Sequence, residues 1–543
     1  MALKATWRDF RLFQKPYLSL SCRWLATQAL TEEVVQDVSW GAARPYEEIP
    51  GPKPLPIIGN LHQFIPGLGE FGNMNVLAQH QALMEKYGKI VRISKVPGRR
   101  DMVFLFDPKY FEEVFRKEGA YPDRDIMQCL IYYRKVTRKD KYEGVGGLLV
   151  GYGEEWKKFR TTVNPPLMQP RITNMYIKPV TAVTNEFIER IKHLRDSKSE
   201  MPDDFMNELK KWSLESIALI AFDKRLGCLE PNLAPDSVPQ KMIMAAKDFI
   251  SCTETLEMRV PVWKIISTPT WRKFVKTMDF FLEISSKFIN ETLEKMRKRG
   301  ACSDHELSAL ERILLRTSAN PKVAYIMAMD MLMAGVDTTA INSSNAMYLL
   351  AKNPDKQEYL YQELKRFLPN RNDNITAEML EDMKYLKACL KESLRIYGIS
   401  TFNMRGTTSE TVIGNYRIPK NVNLMMANAL CGMMEEYFPQ ASRFMPERWL
   451  KHRPGHSRNY IGSAEDYDAV INNKPNPFLY LPFGFGARMC IGKRFAEMET
   501  AILISKLVRN FKLEYNYGEM TYSSRLVHKP ENPLKYKLTE RTA

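Results

Sequence analysis

Residues 482–492 read Pro482-Phe-Gly-Phe-Gly-Ala-Arg-Met-Cys-Ile-Gly492, and the rest of the chain is read outward from them. Cys490 follows a run with glycines at 484 and 486, and Arg488 stands two residues before it. Apolar residues then recur at helical spacing (Phe495, Met498, Ala501, Ile502, Val508), which predicts a helix over 491–509 with the thiol at its mouth. There the positive end of the helix dipole and unpaired backbone N–H groups are expected to lower the thiol pKa and favour the thiolate, the form that ligates metals. The glycines let the loop turn sharply and let a flat partner approach its backbone. Arg488 places a cation beside any anion that partner carries.

Five residues at fixed offsets, Phe483, Gly486, Arg488, Cys490 and Gly492, resemble the haem-binding loop F-x-x-G-x-R-x-C-x-G of the cytochrome P-450 family. The resemblance implies that Cys490 is the axial thiolate of a haem b iron, the ligation type that favours O–O cleavage. Phe483, Gly486 and Arg488 would then belong to the cofactor site.

The 543 residues are 44% hydrophobic and 26% charged, ordinary globular values that permit a large core. Eight cysteines are scattered without C-x-x-C pairs, which reads as reduced thiols rather than a disulfide frame or a zinc site. The net charge of +16 suits an anionic membrane or an acidic protein partner. No nucleic-acid module or basic run interleaved with aromatics is present, which argues against nucleic acid. Residues 1–30 carry Lys4, Arg8, Arg11, Lys15 and Arg23 against the single acid Asp9, mixed with Trp7, Phe10, Leu12, Phe13 and Leu18. That basic, amphipathic composition is expected of a mitochondrial presequence, leaving one domain over 31–543. The longest uncharged run at this end, Trp24 to Thr31, is far short of the ~20 apolar residues that span a bilayer.

Along the chain, four prolines between Glu48 and Asn60 resemble the hinge that opens the family's catalytic domain. Periodicity predicts a helix over 77–87, strands over 90–93 and 102–106, and a helix over 108–118. Residues 121–151 look polar and irregular. Helices are expected over 174–195, 203–222 and 241–251, with the prolines of 231–239 as breakers, and over 271–300 with Gly300 as the stop. The helical run 321–352 is the longest. It is expected to be interrupted at Met333-Ala-Gly-Val-Asp-Thr-Thr339, because a mid-helix glycine and threonine hydroxyls weaken or bend a helix. Residues after Asn510 alternate and suggest a hairpin with its tip near 522–526. The whole reads as mainly α with a small β region, an α+β fold.

Further motifs extend the resemblance. Trp156 and Arg160 lie four apart, sharing a helix face from which both could hold one anion, and resemble the W-x-x-x-R that holds a haem propionate. Ala334, Gly335, Asp337, Thr338 and Thr339 resemble the family's A-G-x-D-T-T, which implies that Asp337 and Thr338 manage protons. Glu392 and Arg395 at i and i+3, with Arg448, resemble the structural Glu-Arg-Arg triad, although Gly398 stands where the family usually has proline. Arg405 occupies a position where the family commonly places another propionate-binding cation. Lys387 and Lys391 resemble the lysines with which mitochondrial members receive an acidic 2Fe–2S ferredoxin of the adrenodoxin type, itself served by an NADPH-dependent reductase. Lys493 and Arg494 could extend that patch.

The resemblance therefore implies a monooxygenase with haem b between the long helix and the cysteine loop, inserting one oxygen atom of O2 into a lipophilic small molecule. Its implied place is the matrix side of the mitochondrial inner membrane, in peripheral contact with it. Residues 143–150 and 164–170 resemble the insect mitochondrial group, which favours foreign compounds as substrates over ecdysteroid-type steroids. An oxygen-independent isomerase and a non-enzymatic haem carrier or sensor are the remaining alternatives.

Overall fold

The computed structural model describes residues 39–300, 303, 306–317, 321–450 and 476–542; the segment expected to be a presequence lies outside them. The residues from Arg44 onward form one compact unit. The central element of that unit is the helix Pro321–Lys352, buried along most of its length and packed by the helices Phe205–Phe222, Pro269–Arg299 and Lys493–Asn510. Composition alone would let it cross a membrane, yet most of its apolar window is covered by the protein itself.

The expected interruption at 333–339 is absent: the helix is continuous from Pro321 to Lys352. Thr338 Oγ1 donates to the Ala334 carbonyl one turn back at 2.5 Å, so its hydroxyl is satisfied within the helix. Gly335 serves packing, since a Cβ there would stand 3.1 Å from the Ile217 side chain of the helix Phe205–Phe222.

Ten short strands follow the chain as β1 (Ile90–Ile93), β2 (Met102–Leu105), β3 (Asn403–Gly406), β4 (Thr411–Ile413), β5 (Tyr416–Ile418), β6 (Asn423–Met426), β7 (Phe511–Glu514), β8 (Tyr522–Ser524), β9 (His528–Pro530) and β10 (Lys537–Glu540). The main sheet has the order β1-β2-β6-β3, with β2 and β6 parallel. It positions β3, which carries Arg405 opposite Leu424. The alternating stretch after Asn510 pairs as β7 with the distant β10, and the hairpin is β8–β9.

Three further expectations are corrected. Residues 121–151 are not merely irregular: Gln128–Tyr132, Lys139–Tyr142 and Gly147–Val150 are helical, organised by buried Arg134. Its Nη2 lies 2.5 Å from Asp330 Oδ1 on the central helix, and its Nη1 donates to the Gly146 carbonyl. The helix expected at 241–251 runs Val238–Met258, because Pro239 sits in its first turn, where no N–H is needed, and the Ser237 side chain caps it. The helix after the cysteine begins at Lys493, so Cys490 precedes it by three residues.

Glu392, Arg395 and Arg448 come together as a buried triad. Arg395 donates to both Glu392 oxygens, from Nε at 2.9 Å and Nη2 at 2.7 Å, and Arg448 Nε donates to Oε1 at 2.9 Å. Trp449 Nε1 and the Met445 N–H complete the acceptor's coordination. Arg395 also donates to the Gly432 and Arg443 carbonyls, so one carboxylate fixes the chain that leads toward the cysteine loop. Replacing Glu392 with alanine strands two buried guanidinium groups and is expected to cost about 3–5 kcal/mol, read as a lowered denaturation midpoint.

Candidate active site

Among the described residues every cysteine is a free thiol, and Cys490 alone is exposed; the other five are buried. Cys490 keeps accessible surface although protein atoms surround it densely, as a side chain lining a cleft does. The loop is held by the Cys490 N–H donating to the Phe483 carbonyl at 2.8 Å and by the Met489 N–H donating to the Gly486 carbonyl. Gly486 has φ +68°, and a Cβ there would collide with the Glu118 carboxylate, so this position takes glycine on both counts.

The sign expected for the thiol pKa is corrected. Burial raises the Cys490 pKa and outweighs the Gly492 N–H and the cations Arg160 and Arg124, which act to lower it. The helix that was to help begins three residues later. A stable thiolate here therefore depends on a bound metal, which deprotonates a coordinating thiol outright. No group of three His, Cys, Asp or Glu side chains among the described residues could hold a bare ion. A lone thiolate suits a metal that brings its other donors with it, as a porphyrin iron does.

Four arginines surround this loop. Arg160, on the helix Gly153–Met168, donates through Nη2 to the Met489 carbonyl at 2.9 Å. Trp156, one turn earlier, presents its ring to the Arg488 guanidinium at 3.7 Å. Arg488 spends its donors on the Pro122, Leu148 and Gly151 carbonyls, so it ties the preceding loops to the cysteine loop. Arg405 Nε contacts Glu118 Oε2 at 2.5 Å and its Nη2 donates to the Phe485 carbonyl at 2.9 Å. Phe483, the first residue of the motif, lies 5.9 Å from Lys493 Nζ at the other end of the loop. Arg124 is the fourth cation and stands outside every sequence motif; only its place in the fold reveals it.

Burial and mutual repulsion push the Arg488 pKa down to about 9 and the Arg124 pKa to about 10. Among the four, only Arg405 makes an ion pair in the described residues. Arg124 Nε and Arg160 Nε are buried without an acceptor. Such a cluster is costly by itself, since an unsatisfied buried donor costs about 1–3 kcal/mol. An anionic group beside it supplies both the missing charge and the missing acceptors, and a haem carrying two propionates fits that requirement.

Over residues 326–351 the central helix is buried except for a stripe at Met331, Ala334, Gly335 and Thr338, the i, i+3, i+4, i+7 positions of one face. The two helices are bound to each other by Asn342 Nδ2 donating to Thr500 Oγ1 at 3.0 Å. Asp337 turns away from the stripe and is buried, with Lys210 Nζ 3.0 Å from its Oδ1. Lys210, Arg124 and Glu118 are site residues that motif reading missed.

On the outer side, Lys387 and Lys391 are both exposed on the helix Lys384–Ile396. Burial and the neighbouring charges of Lys384 and Lys391 lower the Lys387 pKa. Glu497 lies within electrostatic reach of Lys387, Lys391, Lys493 and Arg494, which places all four cations on one face.

Residues 49–538 match the family described as Cytochrome P450. The chain is 39% identical over 501 residues to "Probable cytochrome P450 301a1, mitochondrial" of Drosophila melanogaster, covering 92% of this chain and 88% of that protein. It is 38% identical to "Probable cytochrome P450 12a5, mitochondrial" of the same fly, over 97% of each chain. With "Cytochrome P450 CYP12A2" of Musca domestica it shares 37% identity over 92% of each. A thiol among four arginines sits in a sequence that matches one family almost end to end: the chain belongs to the cytochrome P450 family of haem b monooxygenases.

Proposed function

We propose that the protein is a mitochondrial monooxygenase that oxidises lipophilic small molecules, foreign compounds above all, with electrons from a 2Fe–2S ferredoxin of the adrenodoxin type and its NADPH-dependent reductase. The observation that carries the reading is the exposed Cys490 thiol set among Arg124, Arg160, Arg405 and Arg488. Haem b, when bound, supplies activation of O2, one atom going to substrate and the other to water. Cys490 would hold the iron through sulfur, and the arginines would hold the propionates.

Thr338 would position protons on the distal side. Its hydroxyl proton rests on the Ala334 carbonyl, and rotation about the Cβ–Oγ1 bond would turn that proton toward the open stripe. Asp337, next to it and paired with Lys210, would link that hydroxyl to groups further out. Met331 and Ala334 give the stripe an apolar, adaptable lining that suits substrates of varied shape and excludes water from the reacting atoms.

Two surfaces support the setting. The face with Lys387, Lys391, Lys493 and Arg494 carries the charge that would draw in an acidic electron donor. Exposed apolar side chains lie on two segments that both border the loop 95–99, Ile57 before Gly59 and Ile265 and Ile266 after Pro261: a Cβ on Gly98 would meet Pro261, and one on Gly59 would meet Lys95. Such a patch suits peripheral contact with a membrane.

Cys490→Ser is expected to abolish the red-shifted Soret band of the reduced carbon monoxide complex; a variant that keeps the band would refute thiolate ligation. Thr338→Ala should release more peroxide per electron consumed, measured as uncoupled NADPH oxidation, and unchanged coupling would assign proton handling to another group. Reversing charge in Lys387→Glu with Lys391→Glu should raise the KM for ferredoxin at least tenfold at low salt and weaken its dependence on ionic strength. Turnover supported by ferredoxin and its reductase, with O2 consumed, is the direct test of the proposed electron supply.

A further inference from the structure

Glu118 belongs to no motif, yet among the described residues it is the single carboxylate ion-paired with the arginine cluster around Cys490. It follows the helix Pro108–Lys117, and its Oε2 lies 2.5 Å from Arg405 Nε, both side chains being about nine-tenths buried. Its other oxygen packs against Gly486 in the cysteine loop, at the point where a Cβ would not fit. The grip is continued by rings, with Phe115 5.2 Å from Phe485 and the Arg405 guanidinium 5.0 Å over Phe115. One short stretch of helix therefore touches Arg405 and the backbone beside Cys490 at once.

The donors of Arg405 can be accounted for. A guanidinium has five N–H groups. One goes to Glu118, one from Nη1 to the Met404 carbonyl at 3.0 Å and one from Nη2 to the Phe485 carbonyl at 2.9 Å. The two left over have their direction fixed by the three that are used. Glu118 also subtracts a full charge from a cluster of four cations, in surroundings where partial burial keeps the effective dielectric low. Beyond the pair lies a cavity of about 60 Å³ lined by Glu118, Asp123, Arg405 and Thr407, where Asp123 is already paired with Arg100. Among the described residues no other carboxylate forms an ion pair with the four arginines, although Asp123 acts on Arg488 and Asp330 on Arg124 from further away.

We propose that Glu118 is a positioning and charge-setting residue for the haem site: it aims Arg405 at the cofactor's anionic edge and, by its negative charge, holds the iron's reduction potential down. The inference rests on the haem assignment of the preceding section. A negative charge nearby favours the ferric state, whose iron is more positive than the ferrous, so loss of that charge favours reduction. The reduction equilibrium then shifts on the order of tenfold, the weight a unit charge carries at a partly buried site.

The test is the iron midpoint potential of the full-length holoprotein in two variants, with the denaturation midpoint and the reduced carbon monoxide spectrum as companions. Glu118→Gln keeps the shape and the acceptor but removes the charge, and is expected to raise the reduction equilibrium constant about tenfold while the spectrum stays that of the parent. Glu118→Asp keeps the charge and loses one methylene, and is expected to retain the parent potential. If Glu118→Gln fails to hold haem while Glu118→Asp holds it at the parent potential, the charge is required and the proposal stands. Equal potentials in all three proteins, equal shifts in both variants, or loss of haem from Glu118→Asp would overturn it. A parent protein with no thiolate-type carbon monoxide band would instead overturn the haem reading itself.

Discussion

The structure depends on an imbalance of charge at the cysteine loop. Four guanidinium groups converge there, one carboxylate among the described residues forms an ion pair with them, and two of their buried N–H groups have no acceptor. Proteins rarely bury so much unpaired charge without a partner to stabilise it. The thiol is set against that imbalance: burial raises the Cys490 pKa more than the neighbouring cations lower it, so the protein builds the place for a thiolate but leaves a metal to make one. Cysteine, arginines and cofactor are thus three parts of one electrostatic arrangement, each costly without the others.

The rest of the fold serves to hold that arrangement rigid. Glu392 gathers two arginines, a tryptophan and a backbone amide, and through Arg395 fixes the segment before the cysteine loop. From above, Asp330 on the central helix binds Arg134 and the Leu148 N–H, while from below Arg488 takes the Leu148 and Gly151 carbonyls. The short helix Gly147–Val150 is therefore clamped between the central helix and the cysteine loop, and a displacement of either would be felt by the other. Rigid elements on both sides keep a flat cofactor in register with the open stripe at Thr338.

What the sequence disclosed was whatever is local. The offsets from Phe483 to Gly492, the four-residue step from Trp156 to Arg160 and the three-residue step from Glu392 to Arg395 are all within reach of one turn or one loop, so spacing alone carries them. The long helix was legible to its end residues because Pro321 opens it and Pro354 opens the next helix just beyond Lys352. Pairings across the chain were not legible. Glu118 and Arg405 are 287 residues apart, Arg134 and Asp330 are 196 apart, and Arg124 reaches the site only because loops fold over it. The sign of the thiol pKa was misread for a related reason: a helix dipole can be inferred from periodicity, whereas the depth at which a side chain lies cannot. The expected break in the central helix failed because Thr338 satisfies its hydroxyl on the preceding turn and Gly335 admits a neighbouring helix, neither of which propensity records.

Sulfur ligation from within a ring of cations is the claim on which the function stands. X-ray absorption at the iron edge of the purified ferric protein tests it most directly. The account predicts one sulfur neighbour in addition to the four porphyrin nitrogens; a first shell of nitrogen and oxygen alone, or protein that binds no iron porphyrin, would contradict it.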